Sequence, residues 1–449
     1  MGNDDTEEIP KPHSLLFHPY LTWKDKLTST VVDYLMLKAL VATQPGTQEC
    51  ADAVVKARTA MEGFSSDRAL RSTLEKWGKL SSCKIAESWG SISFQKDILK
   101  DWGIVDEQTV LPDAASKNRE SVGVVVRFPS SLLAAKTLES PTILEKSGCI
   151  EVDFDTIDWK TFAPDVPVIV QFHGGGMTMG TAGDLVLHEE TVRLVETAST
   201  ASPPDVITIS VDYALAPEDP FPLGIMDALS VMDFLLNKNV RKSVHVTGQS
   251  AGANIALVAG MEVCRRFPGR ISSIHVQSPY VNPACDGLSY HMNQSVTPDI
   301  GWCRWFSRVY LELEKPPSDE TPKDENKSDL EKVLQKDSNY SLWENWKARY
   351  PSKSLHRLVN PTLQIPAGLN GDKSKSAPAI IIRYNRSDPL HSDGEMVVEA
   401  LKPNTGGNAS FFECNGLHCD ITTPYDPSAP QDYYKVWAEA LFDNGSSEN

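Results

Sequence analysis

The spacing of apolar positions changes character near residue 120. Before it, residues 23–43, 51–62 and 66–77 repeat apolar side chains every three or four positions, which predicts amphipathic helices. After it, short β-branched runs take over at 122–127, 150–154, 166–172, 206–210, 244–246, 274–277, 379–384 and 409–413. Helical stretches separate most of them, with a long one predicted over 251–266. Strands alternating with helices predict an α/β fold built on a mostly parallel twisted sheet flanked by helices.

One interval breaks the alternation, between the runs at 274–277 and 379–384. In it Trp302, Trp305, Phe306, Tyr310 and Leu311 form an aromatic face at helical spacing. That face has two readings: packing onto the core, or lining an acyl or alcohol pocket. Residues 315–329 are charged and contain proline, which predicts a mobile surface loop. The chain therefore divides into an N-terminal helical segment (1–115), a first core part (116–285), an insertion with the charged loop (286–376) and a second core part (377–449). No internal repeat is present.

Candidate chemistry sits where strands end. Ser250 lies in Gly248-Gln249-Ser250-Ala251-Gly252, between the run at 244–246 and the predicted helix. This is the G-x-S-x-G pattern in a strand–turn–helix context. The glycines let strand and helix approach closely, and the N–H of Ala251 is placed to meet an oxyanion. Upstream, 166–172 runs into His173-Gly174-Gly175-Gly176. Glycines there allow unusual backbone angles and leave N–H donors unobstructed. The plainer reading of that loop is a tight turn with a structural histidine. A third segment, Val211-Asp212-Tyr213-Ala214-Leu215-Ala216-Pro217-Glu218, follows the run at 206–210, and Phe221-Pro222 and Asp227 come after it.

In this order the three segments resemble the hormone-sensitive-lipase family of α/β-hydrolases, densely over about residues 165 to 270 and more thinly beyond. The resemblance implies an α/β-hydrolase fold with a largely helical cap, formed by the N-terminal helices and the 286–376 insertion. It implies an oxyanion hole from the N–H groups of Gly175, Gly176 and Ala251, with His173 and Gly174 in the supporting loop. His173 is expected to brace that loop through hydrogen bonds. Gln249 stands where the family more often has Asp or Thr.

A serine nucleophile needs a base, and the base an orienting carboxylate. In α/β-hydrolases they follow the serine as acid, then histidine. Asp388 ends the run at 379–384, and Asp388-Pro389-Leu390-His391-Ser392-Asp393 matches the family's D-P-L-x-x-D, with the first Asp as acid. A turn-capping role would also suit Asp388 locally. Asp393 is expected to cap a helix starting near Gly394. His418, after the run at 409–413, is the expected base, although Cys419 and Asp420 replace the family's Gly and Phe. His391 is the nearest rival but stands too close to Asp388.

Composition narrows the function. A net charge of −17 argues against nucleic acids and anionic membrane surfaces as partners. The acidic, polar start contains no apolar run fit for a signal peptide or membrane span, so a cytoplasmic protein is expected. Met1-Gly2-Asn3-Asp4-Asp5-Thr6 matches the N-myristoylation pattern in an acidic context, with an unmodified tail as the default. The eight cysteines are scattered, which predicts free thiols. Cys414, His418 and Cys419 lack a second ligand pair, so no metal is expected. The sequons at Asn293, Asn326, Asn339 and Asn408 are read as coincidental.

The expected activity is hydrolysis of carboxylic esters through an acyl-enzyme, on small-molecule esters of short to medium acyl length, without a cofactor. The same residues serve an amidase, a lactonase or an acyltransferase. A non-catalytic small-molecule receptor on this fold, like the plant gibberellin receptors, is the alternative of a different class.

Overall fold

The computed structural model describes residues 10–21, 26–27, 43–44, 47–64, 67–117, 119–134, 144–146, 149–198, 205–238, 240–313, 328–336, 338–363, 369, 377–405, 408–420 and 430–442. Strands rich in Val and Ile form its centre. β5 (Val168–Phe172) and β7 (Val244–Gln249) are buried at every position. With β6 (Ile207–Asp212), β8 (Ile271–Gln277), β9 (Ala379–Asn385) and β10 (Ala409–Cys414) they pair in parallel. β2 (Ser121–Pro129) runs antiparallel to β6 and to β1 (Ile85–Ser93). β3 (Leu144–Lys146) and β4 (Cys149–Glu151) finish one ten-stranded sheet, ordered β10-β9-β8-β7-β5-β6-β2-β1-β4-β3. Runs buried on both faces suit a parallel centre covered by helices.

Two predicted elements differ. Residues 85–93 are a strand inside the segment read as helical. Ile85-Ala86-Glu87-Ser88-Trp89-Gly90-Ser91-Ile92-Ser93 has little β-branched character, and its full-length register with β2 makes it a strand. The run at 150–154 is strand only to Glu151, and Phe154 opens a 3-10 turn.

The N-terminal helices are α1 (Gln48–Phe64) and α2 (Asp67–Leu80). Most of the predicted helix at 23–43, the acylation pattern at Gly2 and most of the charged loop at 315–329 lie outside the described residues. α3 (Leu185–Ala198) and, from the chain's end, Pro430–Phe442 join α2 on one face of the sheet around Trp77, Val195, Tyr433 and Trp437. α4 (Leu223–Leu236) and α5 (Ala251–Arg266) pack on the other face. α5 has the bounds its sequence predicts. Between β8 and β9 come α6 (Ile300–Tyr310), α7 (Tyr340–Arg349) and α8 (Lys353–Val359).

Strand side chains facing α3 are unusually polar. Gln171 donates to Thr191 and accepts from Ser210, and Thr247 pairs with His275, all buried. All eight cysteines are unpaired. No helix among the described residues is long and apolar enough to cross a membrane.

Candidate active site

Ser250 joins β7 to α5 with φ 54° and ψ −119°, outside the regions a side-chain-bearing residue favours. Its surroundings hold it there. The Ser250 N–H donates to the Gln277 carbonyl at 2.9 Å, and its own carbonyl accepts from Tyr280 at 3.2 Å. The elbow leaves no room for side chains beside it: a Cβ on Gly252 would lie 2.1 Å from the Phe172 carbonyl oxygen.

The loop leaving β5 bends just as sharply. Gly175 has φ +114°, and a Cβ there would lie 2.1 Å from the Met179 carbonyl oxygen. Met179 and Thr178 both donate backbone N–H groups to the Gly175 carbonyl. The N–H groups of Gly175, Gly176 and Ala251 donate to no described backbone acceptor. His173 is buried; its Nδ1–H donates to the Gly174 carbonyl at 2.8 Å, and its ring stacks on Tyr213 at 4.2 Å. Tyr213 donates its hydroxyl to the His173 carbonyl at 2.7 Å. Burial holds the His173 pKa below its ordinary value, so the ring is neutral. Ring and loop therefore brace each other.

Asp388 and His418 follow β9 and β10. His418 Nδ1–H donates to Asp388 Oδ2 at 2.7 Å, and the other Asp388 oxygen accepts from the Leu390 N–H at 2.9 Å. Burial favours neutral imidazole, but the adjacent Asp388 carboxylate and Cys419 together outweigh it and hold the His418 pKa well above the usual value. The His418 loop is tied inward by the Cys419 N–H, which donates to Ser278 Oγ at 3.4 Å. Ser250, the H-G-G-G loop, Asp388 and His418 thus all stand at carboxyl ends of parallel strands, where open α/β sheets gather their sites. Among the described residues no hydrogen bond joins the Ser250 hydroxyl to His418. Such bonds are often long in unliganded sites.

Residues 169–321 match a family described as having the alpha/beta hydrolase fold. A bacterial heroin esterase superposes with TM-score 0.55 at 15% identity, over 94% of this chain and 98% of its own. A thermostable esterase from Pseudomonas putida gives TM-score 0.53 at 15% identity, with coverage of 94% and 98%. Esterase LipI of Mycobacterium tuberculosis is 31% identical over 189 residues, which are 39% of this chain and 56% of that protein. The chain has the α/β-hydrolase fold. Carboxylesterase NlhH of the same bacterium is 31% identical over 140 residues, 30% of this chain and 40% of that protein. The chain therefore spans about half the length of the curated relatives it matches.

Two residues of the D-P-L-x-x-D segment have other partners than expected. The helix there is α9 (His391–Leu401), with Leu390 at its N-cap. Asp393 lies inside its first turn and caps nothing: its carboxylate accepts from the N–H groups of Val281 and Asn282, both at 2.8 Å. Those donors belong to the loop after β8, which ties the acid's helix to the segment bonded to Ser250. His391 faces Glu413, with Nε2 to Oε1 at 2.8 Å.

Sequence reasoning passed over one further residue, Arg58. Arg58 of α1 donates to the carbonyls of Thr178 at 2.7 Å and Ala216 at 2.9 Å, and grips both oxygens of Glu218. It thereby links an N-terminal helix to the oxyanion-type loop and to the D-Y-A-L-A-P-E segment. Phe306 of α6 rests against Gly176, where a Cβ would lie 2.3 Å from its ring. The insertion's aromatic face thus touches the glycine loop as well as the core, where Tyr310 meets Phe221 edge-on at 5.7 Å.

Proposed function

We propose that this chain is a serine carboxylesterase that cleaves small-molecule carboxylic esters of short to medium acyl length. The observation that carries the reading is the Asp388–His418 bond of 2.7 Å at the same edge of the sheet as Ser250 on its strained turn. Ser250 Oγ attacks the ester carbonyl carbon while His418 Nε2 takes its proton. The N–H groups of Gly175, Gly176 and Ala251 receive the charge on the carbonyl oxygen. The tetrahedral intermediate collapses to an acyl-Ser250 ester, and His418 returns the proton to the departing alkoxide. Water, deprotonated by His418, then releases the carboxylic acid and free Ser250. Asp388 fixes the imidazole tautomer and stabilises the imidazolium throughout. Water is the sole co-reactant, and no cofactor enters the scheme. Helix α1 of the N-terminal segment, through Arg58, and helix α6 of the insertion, through Phe306, act as parts of the cap. Relatives named esterase and carboxylesterase support the same chemistry.

Hydrolysis of p-nitrophenyl acetate and butyrate tests the proposal. Ser250→Ala is expected to lower kcat by about 10⁴- to 10⁶-fold and to abolish labelling by a fluorophosphonate probe. Turnover that survives in Ser250→Ala overturns the assignment of the nucleophile. A folded wild type that neither turns over esters nor reacts with the probe overturns the hydrolase reading and favours the non-catalytic receptor.

A further inference from the structure

Residues 10–21 run along the loop that follows the short helix Leu288–Met292. The His13 N–H donates to the Met292 carbonyl at 2.9 Å, and Ser295 donates its hydroxyl to the His13 carbonyl at 3.2 Å. His291 Nε2–H donates to the Pro10 carbonyl at 2.9 Å. At the centre of this strip stands His18, only 2% exposed, with Nε2 3.0 Å from Asn293 Oδ1.

The Asn293 amide connects this strip to the proposed acid. Its Nδ2 donates to the carbonyls of Arg386 and Asp388, both at 3.0 Å. An amide has one acceptor and two donors, and here each is engaged. A Tyr20 N–H directed at His18 Nδ1, at 3.4 Å, makes that nitrogen the acceptor and Nε2 the proton carrier. His18 therefore dictates which way round Asn293 sits: Oδ1 towards His18, both N–H groups towards the acid's backbone. A second contact reaches the base. Leu21 packs with Val296 and Leu417, and Leu417 directly precedes His418.

We propose that residues 10–21 form a strap that positions the catalytic pair, through His18 and Asn293 on Asp388 and through Leu21 on Leu417. The proposal rests on the ester-hydrolysing role assigned to Asp388 and His418. Asn293 and His18 touch neither substrate nor reacting atoms; they are positioning residues. Their contribution is to keep the Asp388 carboxylate where His418 Nδ1–H meets it, since an error of about 1 Å at such a pair can cost 10²-fold in rate.

The test uses the full-length chain, with kcat and KM for p-nitrophenyl acetate expressed per site titrated to completion by a fluorophosphonate. Unfolded molecules are then not counted. Asn293→Ala is expected to lower kcat about tenfold with KM within about twofold of wild type. His18→Ala should lower kcat about threefold to fivefold. His18→Gln, whose amide can donate to Asn293 Oδ1, should recover kcat to within about twofold of wild type. If Asn293→Ala does not fold, the two His18 variants decide. A wild-type kcat in His18→Ala overturns the strap, and so does a loss in His18→Gln as deep as in His18→Ala. A wild type without Ser250-dependent turnover refutes the proposed function and, with it, this inference. An active wild type with unaffected variants refutes the strap alone.

Discussion

His418 is held between opposing influences. Its burial favours the neutral ring, while the Asp388 carboxylate 2.7 Å away and, after it, Cys419 favour the cation and together prevail. A general base acts only when neutral, so kcat/KM should rise with pH through a midpoint above the ordinary histidine value of about 6.5. Asp388→Asn removes the charge and leaves the burial. The midpoint should then move to lower pH while kcat falls about 10⁴-fold. A pH–rate profile that keeps its midpoint in Asp388→Asn would show that another group sets it. The placement of Ser250, Asp388 and His418 at strand ends can be read from sequence because each has a local sign: a glycine-flanked serine, an acid at a strand end, a histidine after the last core strand. Asp393 has the same kind of local sign, an acid beside a helix start, and there it misleads. Its true partners, Val281 and Asn282, are 112 and 111 residues away, and only the folded chain brings them together.

The same contrast holds for elements. Strands at the centre of the sheet are legible because both faces are buried, which demands continuous apolar runs. β1 escapes because Ser88, Gly90 and Ser91 weaken its pattern, and Gly90 is there for Phe154, whose ring occupies the space of a Cβ. The insertion is legible as an aromatic face, yet the site it meets is not. Phe306 sits among Trp302 and Trp305, with centroids 5.1 and 5.6 Å away, and covers Gly176. If Gly176 donates to the oxyanion, this ring bounds the space beside the reacting carbonyl and limits acyl length. Phe306→Ala is expected to raise the hexanoate-to-acetate ratio of kcat/KM about tenfold, within what one or two methylenes are worth in an apolar pocket. Removing a buried phenyl ring costs about 3–5 kcal/mol, so Phe306→Leu serves as the milder variant and should shift the ratio in the same direction. An unchanged ratio in both active variants would leave the ring a packing role only.

Across the whole molecule, buried acids and histidines make stability depend on pH in a particular way. Burial pushes Asp393 up to about 8, and Asp227 and Glu190 each up to about 7. Unfolded, these acids titrate near 4. Each therefore keeps a proton in the folded chain that it loses on unfolding, so its contribution is complete below about pH 4 and fades as pH rises through 7 to 8. His418, raised by Asp388, acts in the same sense. Buried His173, His188, His245 and His275 act in the opposite sense. Burial lowers their pKa values, so their contribution is present above about 6.5 and declines as pH falls below it. Between about pH 5 and 6.5 the two sets offset one another. Above 6.5 the histidines no longer matter, the acids are lost one after another, and the growing negative charge of a chain already at −17 adds repulsion. The thermal midpoint should therefore be nearly level from about pH 5 to 6.5 and descend by about 3–6 °C towards pH 8.5. Differential scanning fluorimetry in constant-ionic-strength buffers measures this directly. Asp393→Asn keeps that group uncharged at every pH and still offers an oxygen to Val281 and Asn282, so its descent should be shallower than that of the wild type. A midpoint that climbs between pH 6.5 and 8.5 would mean that these three carboxyl groups are ionised in the folded protein at neutral pH.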